Sequence, residues 1–353
     1  MGGAQHRLSS RSSPLPDRVD LSTLWVIMPR PLLFAWLLAG VALLSPAAAA
    51  EPRHTVVPGW PVLPEGHSLG QCVGVGVDAR NRVFVFHRSG RTWSQPFPAE
   101  PIAAATVSVI DGSTGKLLDA WGAGEFILPH GLSIDGQGNV WLTDVGLHQV
   151  FKYSPEGRKL LTLGEARVPG ADAGHFDLPT DVAVLPDGSF YVSDGYRNTR
   201  VVKFSAQGQY ESEWGTKGDG PGQFDLPHGI TVDAAGRIYV CDRSNSRIQV
   251  FDEAGAFLQQ WKGPHVGRPY GIGTGPNGHL YFVDGGDPAD KPDRQGKVVE
   301  LDASGTVIDT FSGPGLSPGR LQLGHDLAIG PDGAVYVAEA TGKRVQKFVR
   351  RGE

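Results

Sequence analysis

The stretch "LPHGLSID", residues 128–135, returns 98 residues later as "LPHGITVD", and a looser copy, "LGHDLAIG", begins at Leu323, another 97 residues on. A long internal period restricts a chain strongly. Each repeat must be one supersecondary unit that buries its apolar face only against its neighbours. Aligned on turn residues, the chain from Leu69 divides into six units with the cores "VGVGVDARNRVFVFHR", "HGLSIDGQGNVWLTDV", "TDVAVLPDGSFYVSDG", "HGITVDAAGRIYVCDR", "YGIGTGPNGHLYFVDG" and "HDLAIGPDGAVYVAEA". Each reads as a short alternating strand, a turn that is of the D/N-G type in most units, and a second strand ending near Asp or Glu in all but the first. Most run on into a third strand such as "RVVKFS" or "RIQVFD" and a fourth such as "YESEWG". Alternation between turn signals marks β-hairpins.

Four strands per unit, repeating every 42 to 57 residues, predict an all-β, six-bladed β-propeller around a central channel. The last unit lacks a fourth strand, and "TVVPGWPVL", residues 55–63, is expected to supply it and close the ring. The 49 glycines and 27 prolines serve as turn punctuation in such a fold, and the net charge of −5 offers no basic surface for nucleic acid. The units resemble NHL repeats, a resemblance specific for fold that says little about function.

One slot begins the innermost strand of every unit, and it holds Val73, His130, Thr180, His228, Tyr270 and His325. Histidine, 11 of 353 residues, occupies the second, fourth and sixth units only. In a six-fold ring those positions stand about 120° apart, so three imidazoles point from one face toward the axis. That is a His₃ set, suited to a catalytic zinc with an open coordination position. A single pore-lining histidine would be unremarkable, but the sequence around the three has diverged while the histidines remain. The loops between second and third strands share this face. They carry Arg88 in "HRSG", Tyr196 in "DGYRN" and Arg243 in "DRSN". Paired arginines suit a carboxylate, and a tyrosine beside a metal and guanidinium groups suits a base. Taken singly, each would be a blade-to-blade ion pair or a packed ring. His87 and His148 are expected to be structural, and His175, His265 and His279 to lie at the surface.

Residues 1–27 read as an extension ahead of the true start, and 28–50 as a secretory signal ending in a small-residue run at Ala50. An uncleaved anchor is the competing reading, although the apolar core is shorter than the ~20 residues of a membrane span. No later segment is apolar enough to span a bilayer. The expected mature chain, residues 51–353, is therefore a secreted or periplasmic monomer made of the propeller alone. Cys72 and Cys241 fall on opposite blades and are expected to stay free thiols.

With these polar residues, the stretches "LPHGLSIDGQGNVWLTDVGLHQVFK", "HFDLPTDVAV", "VSDGYRNTRVVKFS", "GPGQFDLPHGITV" and "GHDLAIGPDGAVYV" resemble the catalytic core of peptidyl-α-hydroxyglycine α-amidating lyases across essentially all of the expected mature chain. The resemblance implies zinc on His130, His228 and His325, Tyr196 as base, and Arg88 and Arg243 as substrate-binding and catalytic arginines. It also implies a structural calcium on Asp326 and the carbonyls of Val75 and Leu132. The implied reaction splits the N–Cα bond of a peptidyl or N-acyl α-hydroxyglycine, leaving an amide and glyoxylate.

The sequence departs from the family pattern in several places. Leu323 and Gly324 stand where the family has methionine and proline, a changed pocket wall beside the third histidine. The family disulfide positions correspond to Asp177 with Arg197 and to Tyr239 with Val250, so neither bridge can form. No copper-dependent hydroxylating domain accompanies the propeller in this chain. Two rivals stand beside the lyase reading: another metal-dependent propeller enzyme, such as a lactonase-like hydrolase, and a non-enzymatic binding scaffold of the cell envelope. Three axial histidines argue against both.

Overall fold

Each alternating run pairs with the next across a tight turn, and the computed structural model, which describes residues 52–286 and 296–352, contains strands and no helix among those residues. The expected signal and N-terminal extension lie outside the described residues. After β1 (His54–Val56), blade one is β2 (Cys72–Val77), β3 (Arg82–His87), β4 (Val107–Asp111) and β5 (Leu117–Trp121). Blade two is β6 (Pro129–Ile134), β7 (Val140–Asp144), β8 (Gln149–Tyr153) and β9 (Lys159–Leu163). Blade three is β10 (Pro179–Val184), β11 (Phe190–Asp194), β12 (Arg200–Phe204) and β13 (Tyr210–Trp214), followed by a short parallel pair, β14 (Thr216–Lys217) and β15 (Gln223–Phe224). Blade four is β16 (Pro227–Val232), β17 (Ile238–Asp242), β18 (Arg247–Phe251) and β19 (Phe257–Lys262). Blade five is β20 (Pro269–Thr274), β21 (Leu280–Asp284), β22 (Lys297–Leu301) and β23 (Val307–Ser312). Blade six is β24 (Gly324–Ile329), β25 (Val335–Glu339) and β26 (Arg344–Arg350), with β1 as its outer strand.

The ring closes as expected, but with a shorter strand placed one residue earlier. β1 pairs antiparallel with β26, His54 opposite Arg350 and Val56 opposite Phe348. Val57 N–H still donates to the Lys347 carbonyl, but Pro58 and Pro61 cannot donate to a ladder, so the pairing with β26 does not run on through residues 58–63, and Val62 bridges Lys116 instead. His54 is clamped by Asp309, its Nδ1 lying 2.8 Å from Oδ2, and its ring stacks on Phe311 at 4.4 Å. The third strand of blade one, which the repeat pattern does not place, is β4, reached through the long connection 88–106.

The apolar core lies between blades. One cluster joins Phe84, Phe86 and Val107 of blade one to Leu132, Val140 and Leu142 of blade two. Another joins Val83 and Val85 to Ala334, Tyr336 and Ala338 across the closing junction. Burial here rewards the ring rather than any single blade. Cys72 and Cys241 are buried and unbridged in separate clusters, and burial pushes both thiols up.

An acid–arginine pair explains the recurring motif of the repeat. The acid ending the second strand accepts backbone N–H groups from the segment entering the same blade's inner strand. Asp144 accepts from Ile127 and Leu128, Asp194 from Asp177, Asp242 from Asp225, and Glu339 from Gln322. The arginine opening the third strand bonds that acid, as in Arg200–Asp194 at 3.1 Å, Arg247–Asp242 at 2.7 Å and Arg344–Glu339 at 2.6 Å. These pairs hold the chain at the point where it delivers a residue to the channel.

Candidate active site

A register irregularity falls on the axial slot in all six blades. Pairing of the inner two strands skips across Val73, His130, Thr180, His228, Tyr270 and His325. A bulge re-aims a side chain out of the regular alternation, which brings these residues to the axis. The three histidines then meet, ring centroids 4.7 to 4.9 Å apart, with a ligand nitrogen from each within 4.8 Å of the others.

The other three slots orient them. His130 Nδ1 lies 2.8 Å from the carbonyl of Thr180, His228 Nδ1 2.9 Å from that of Tyr270, and His325 Nδ1 2.7 Å from that of Val73. A carbonyl only accepts, so each Nδ1 carries the proton and each Nε2 keeps its lone pair. Burial and neighbouring positive charge hold all three rings below the usual histidine range, His325 at about 3. Three buried neutral imidazoles, each with an unprotonated Nε2, fit zinc. Gly229 is required beside His228, because a Cβ there would lie 2.4 Å from the Tyr270 carbonyl that fixes the ring.

Above the histidines stand the three expected loop residues. The Tyr196 hydroxyl is 3.0 Å from His130 Nε2, 3.5 Å from His228 Nε2 and 3.4 Å from Arg243 Nη1. Gly195 allows this approach, since a Cβ would fall 1.7 Å from the Pro227 carbonyl. Arg88 is buried, donates from Nε to Pro129 O at 3.0 Å and from Nη1 to Gln71 Oε1 at 2.9 Å, and is lowered by burial to about 10. It therefore remains a cation at neutral pH. The Arg243 guanidinium lies 4.5 Å over the Tyr270 ring and 5.3 Å over Tyr196, and its Nε is buried without a partner. An unsatisfied buried donor is costly, and a bound carboxylate would satisfy it.

Below the histidines, Asp326 Oδ2 accepts the Val75 N–H at 2.9 Å and Oδ1 the Leu327 N–H at 2.8 Å. Val75, Leu132 and Asp326 line one end of a channel cavity of about 240 Å³. The structure adds Asp181 to this set. It also lines the cavity, one residue past the slot of blade three as Asp326 is in blade six. Burial raises Asp181 to about 7, and burial together with the Asp181 charge drives Asp326 well above the carboxylate range. Two buried carboxylates lining one cavity fit a hard divalent cation such as calcium.

Tyr270 and Trp93 were not singled out by sequence reasoning. Tyr270 occupies an axial slot, a signal that was present; Trp93 lies in the long blade-one connection and has no repeat partner to expose it. His87 and His148 are buried and structural as expected, His87 Nε2 lying 2.9 Å from Ser108 Oγ. His175, His265 and His279 are partly exposed; His279 Nδ1 reaches Glu300 Oε1 at 2.7 Å. The Leu323 and Gly324 departures leave His325 in place. Of the two absent disulfides, Asp177 and Arg197 instead form an ion contact at 3.9 Å, and Tyr239 and Val250 pair across β17 and β18. A second buried group, His54, Glu300 and Asp309, lies at the ring closure with Arg350 on Glu300 and acts as a clamp.

The NHL repeat family pattern matches residues 176–204 and 224–251. Peptidyl-glycine alpha-amidating monooxygenase B of Xenopus laevis is 40% identical over 302 residues, covering 79% of this chain and 34% of that protein. Peptidyl-alpha-hydroxyglycine alpha-amidating lyase 2 of Drosophila melanogaster is 34% identical, covering 83% of this chain and 73% of that protein. A probable lyase of the same description from Caenorhabditis elegans is 32% identical, covering 78% and 82%. The chain spans about a third of the length of the vertebrate monooxygenases it matches. Among solved structures, a virginiamycin B lyase from Staphylococcus aureus aligns with a TM-score of 0.52 at 18% identity, covering 80% of this chain and 82% of that one. A putative gluconolactonase aligns at 0.55 and 15% identity, covering 86% and 93%. At such identities these two speak for the fold alone.

Proposed function

The chain belongs to the peptidyl-α-hydroxyglycine α-amidating lyase family, and on that premise we propose that it cleaves the N–Cα bond of a C-terminal α-hydroxyglycine, releasing an amide and glyoxylate. The observation that carries the reading is the Tyr196 hydroxyl, 3.0 Å from His130 Nε2 and 3.4 Å from Arg243 Nη1, on the face where the three histidines converge.

His130, His228 and His325 would hold zinc, which when bound supplies Lewis acidity toward the substrate hydroxyl. Arg243, through its unpartnered Nε, and Arg88 bind the glycine carboxylate and orient the carbinol carbon beneath Tyr196. Tyr196 as phenolate takes the hydroxyl proton. The O–H electron pair becomes the second bond of the glyoxylate carbonyl, and the N–Cα pair leaves with nitrogen. Nitrogen then takes the proton back from Tyr196, so the phenolate is restored and atoms and charge balance. Asp326 with the carbonyls of Val75 and Leu132 would hold calcium below the histidines, in a structural role.

Purified protein incubated with N-acyl-α-hydroxyglycine should release glyoxylate and the acyl amide in equal amounts. Absence of both products with zinc bound would reject the reading. Export is part of the proposal on the strength of residues 28–50 as sequence; N-terminal sequencing of the mature protein, expected to begin near Glu51, tests it.

A further inference from the structure

Channel and mouth are unequal at this site. Beneath the histidines only about 10 Å³ of space separates them from the two aspartates. A substrate whose carboxylate lies on the arginines therefore extends its acyl end outward through the mouth. One wall of that mouth is Trp93, which is 36% exposed while the other described tryptophans are buried or half-buried. Its ring lies 5.0 Å from that of Tyr196, and the Arg88 guanidinium sits 5.5 Å from its centroid. Phe97 supports it edge-on at 5.7 Å and itself packs against buried Ile127, Leu128, Val145 and Leu178. Arg91 holds the same connection, donating to the Ile127 carbonyl at 2.8 Å. An apolar ring left exposed yet held from behind is a contact surface rather than a core residue.

We propose, resting on the lyase reading, that Trp93 is the wall of a subsite for the side chain or acyl group preceding the α-hydroxyglycine, and that it selects aromatic and large aliphatic groups. The amide nitrogen of the scissile bond carries this acyl group directly. A group that leaves Arg88 and Tyr196 toward solvent passes the ring that touches both. Aromatic stacking on Trp93 also needs no charge, which suits a position beside the Arg88 guanidinium, assigned above to the carboxylate.

The test has two readouts. N-Benzoylglycine and N-acetylglycine lack the hydroxyl and cannot react, so calorimetric affinities for both report the subsite without turnover. The benzoyl-over-acetyl preference is expected to fall about fivefold in Trp93→Ala, the range of one aromatic contact, and to be largely kept in Trp93→Phe. The same ratio in kcat/KM, measured on the corresponding α-hydroxyglycines, should fall in parallel. No benzoyl preference in the unsubstituted protein, or an unchanged ratio in Trp93→Ala, overturns the subsite. Absence of turnover on either hydroxylated compound, with the binding preference intact, overturns the lyase reading and leaves the apolar subsite standing.

Discussion

Replacing Tyr196 by phenylalanine removes one oxygen and little else. The ring is held by Trp93 at 5.0 Å, His130 at 5.2 Å and His228 at 5.9 Å, contacts phenylalanine keeps. The lost hydroxyl forfeits hydrogen bonds worth about 1 kcal/mol of stability, too little to unfold a propeller whose core lies between its blades. The histidine Nδ1 bonds to Thr180, Tyr270 and Val73 do not involve Tyr196, so zinc content should be unchanged. Catalysis should suffer far more. A general base contributes about 10² to 10⁴ in rate, equivalent to about 2.7 to 5.4 kcal/mol of barrier. KM should move less than kcat, because the proposed carboxylate ligands, Arg88 and Arg243, are left in place. Glyoxylate release and metal content are measured on the same preparation. Retention of zinc with turnover within about tenfold of the unsubstituted protein would refute Tyr196 as base.

His130→Ala should lose bound metal as well as turnover, read by elemental analysis, whereas Tyr196→Phe loses turnover alone. Arg243→Lys keeps the charge but not the planar fork, and kcat/KM should fall about tenfold to a hundredfold through loss of a charged hydrogen bond. Gly195→Ala places a Cβ 1.7 Å from the Pro227 carbonyl; the loop must back away, and activity should drop while the circular dichroism spectrum stays that of a β-protein. His87 predicts a pH dependence of stability. Burial, with His67 nearby, lowers it to about 3 in the fold, against about 6.5 in the unfolded chain. The unfolded chain therefore binds the extra proton between these values, and stability present above pH ~6.5 is lost as pH falls toward ~3. From pH 7 to 5 this one group should cost about 2 kcal/mol, and His87→Gln should flatten that part of the denaturant-midpoint profile.

The repeat made the architecture legible before any coordinate was known. Alternating apolar residues between Gly turns specify hairpins locally, and a recurrent acid and arginine specify the clamp that joins one strand to the next. The period then dictates six blades. The alternation of histidine with Val73, Thr180 and Tyr270 made the candidate metal set legible too, because equivalent slots in a closed ring converge by symmetry. The sequence also placed Arg88, Tyr196 and Arg243 on the right face. Where the reading fell short, the determinants were not periodic. β1 stops at Val56 because Pro58 interrupts it, an effect of one residue rather than of the repeat. Which imidazole nitrogen faces the axis depends on carbonyls donated by the next blade, a contact between residues 42 to 252 positions apart. Asp181 meets Asp326, and Trp93 meets Arg88 and Tyr196, only after the ring has closed and the 88–106 connection has folded over its mouth. Sequence periodicity encodes what every blade does alike; the chemistry of this channel comes from what opposite and neighbouring blades do to one another, and that exists only in the closed tertiary structure.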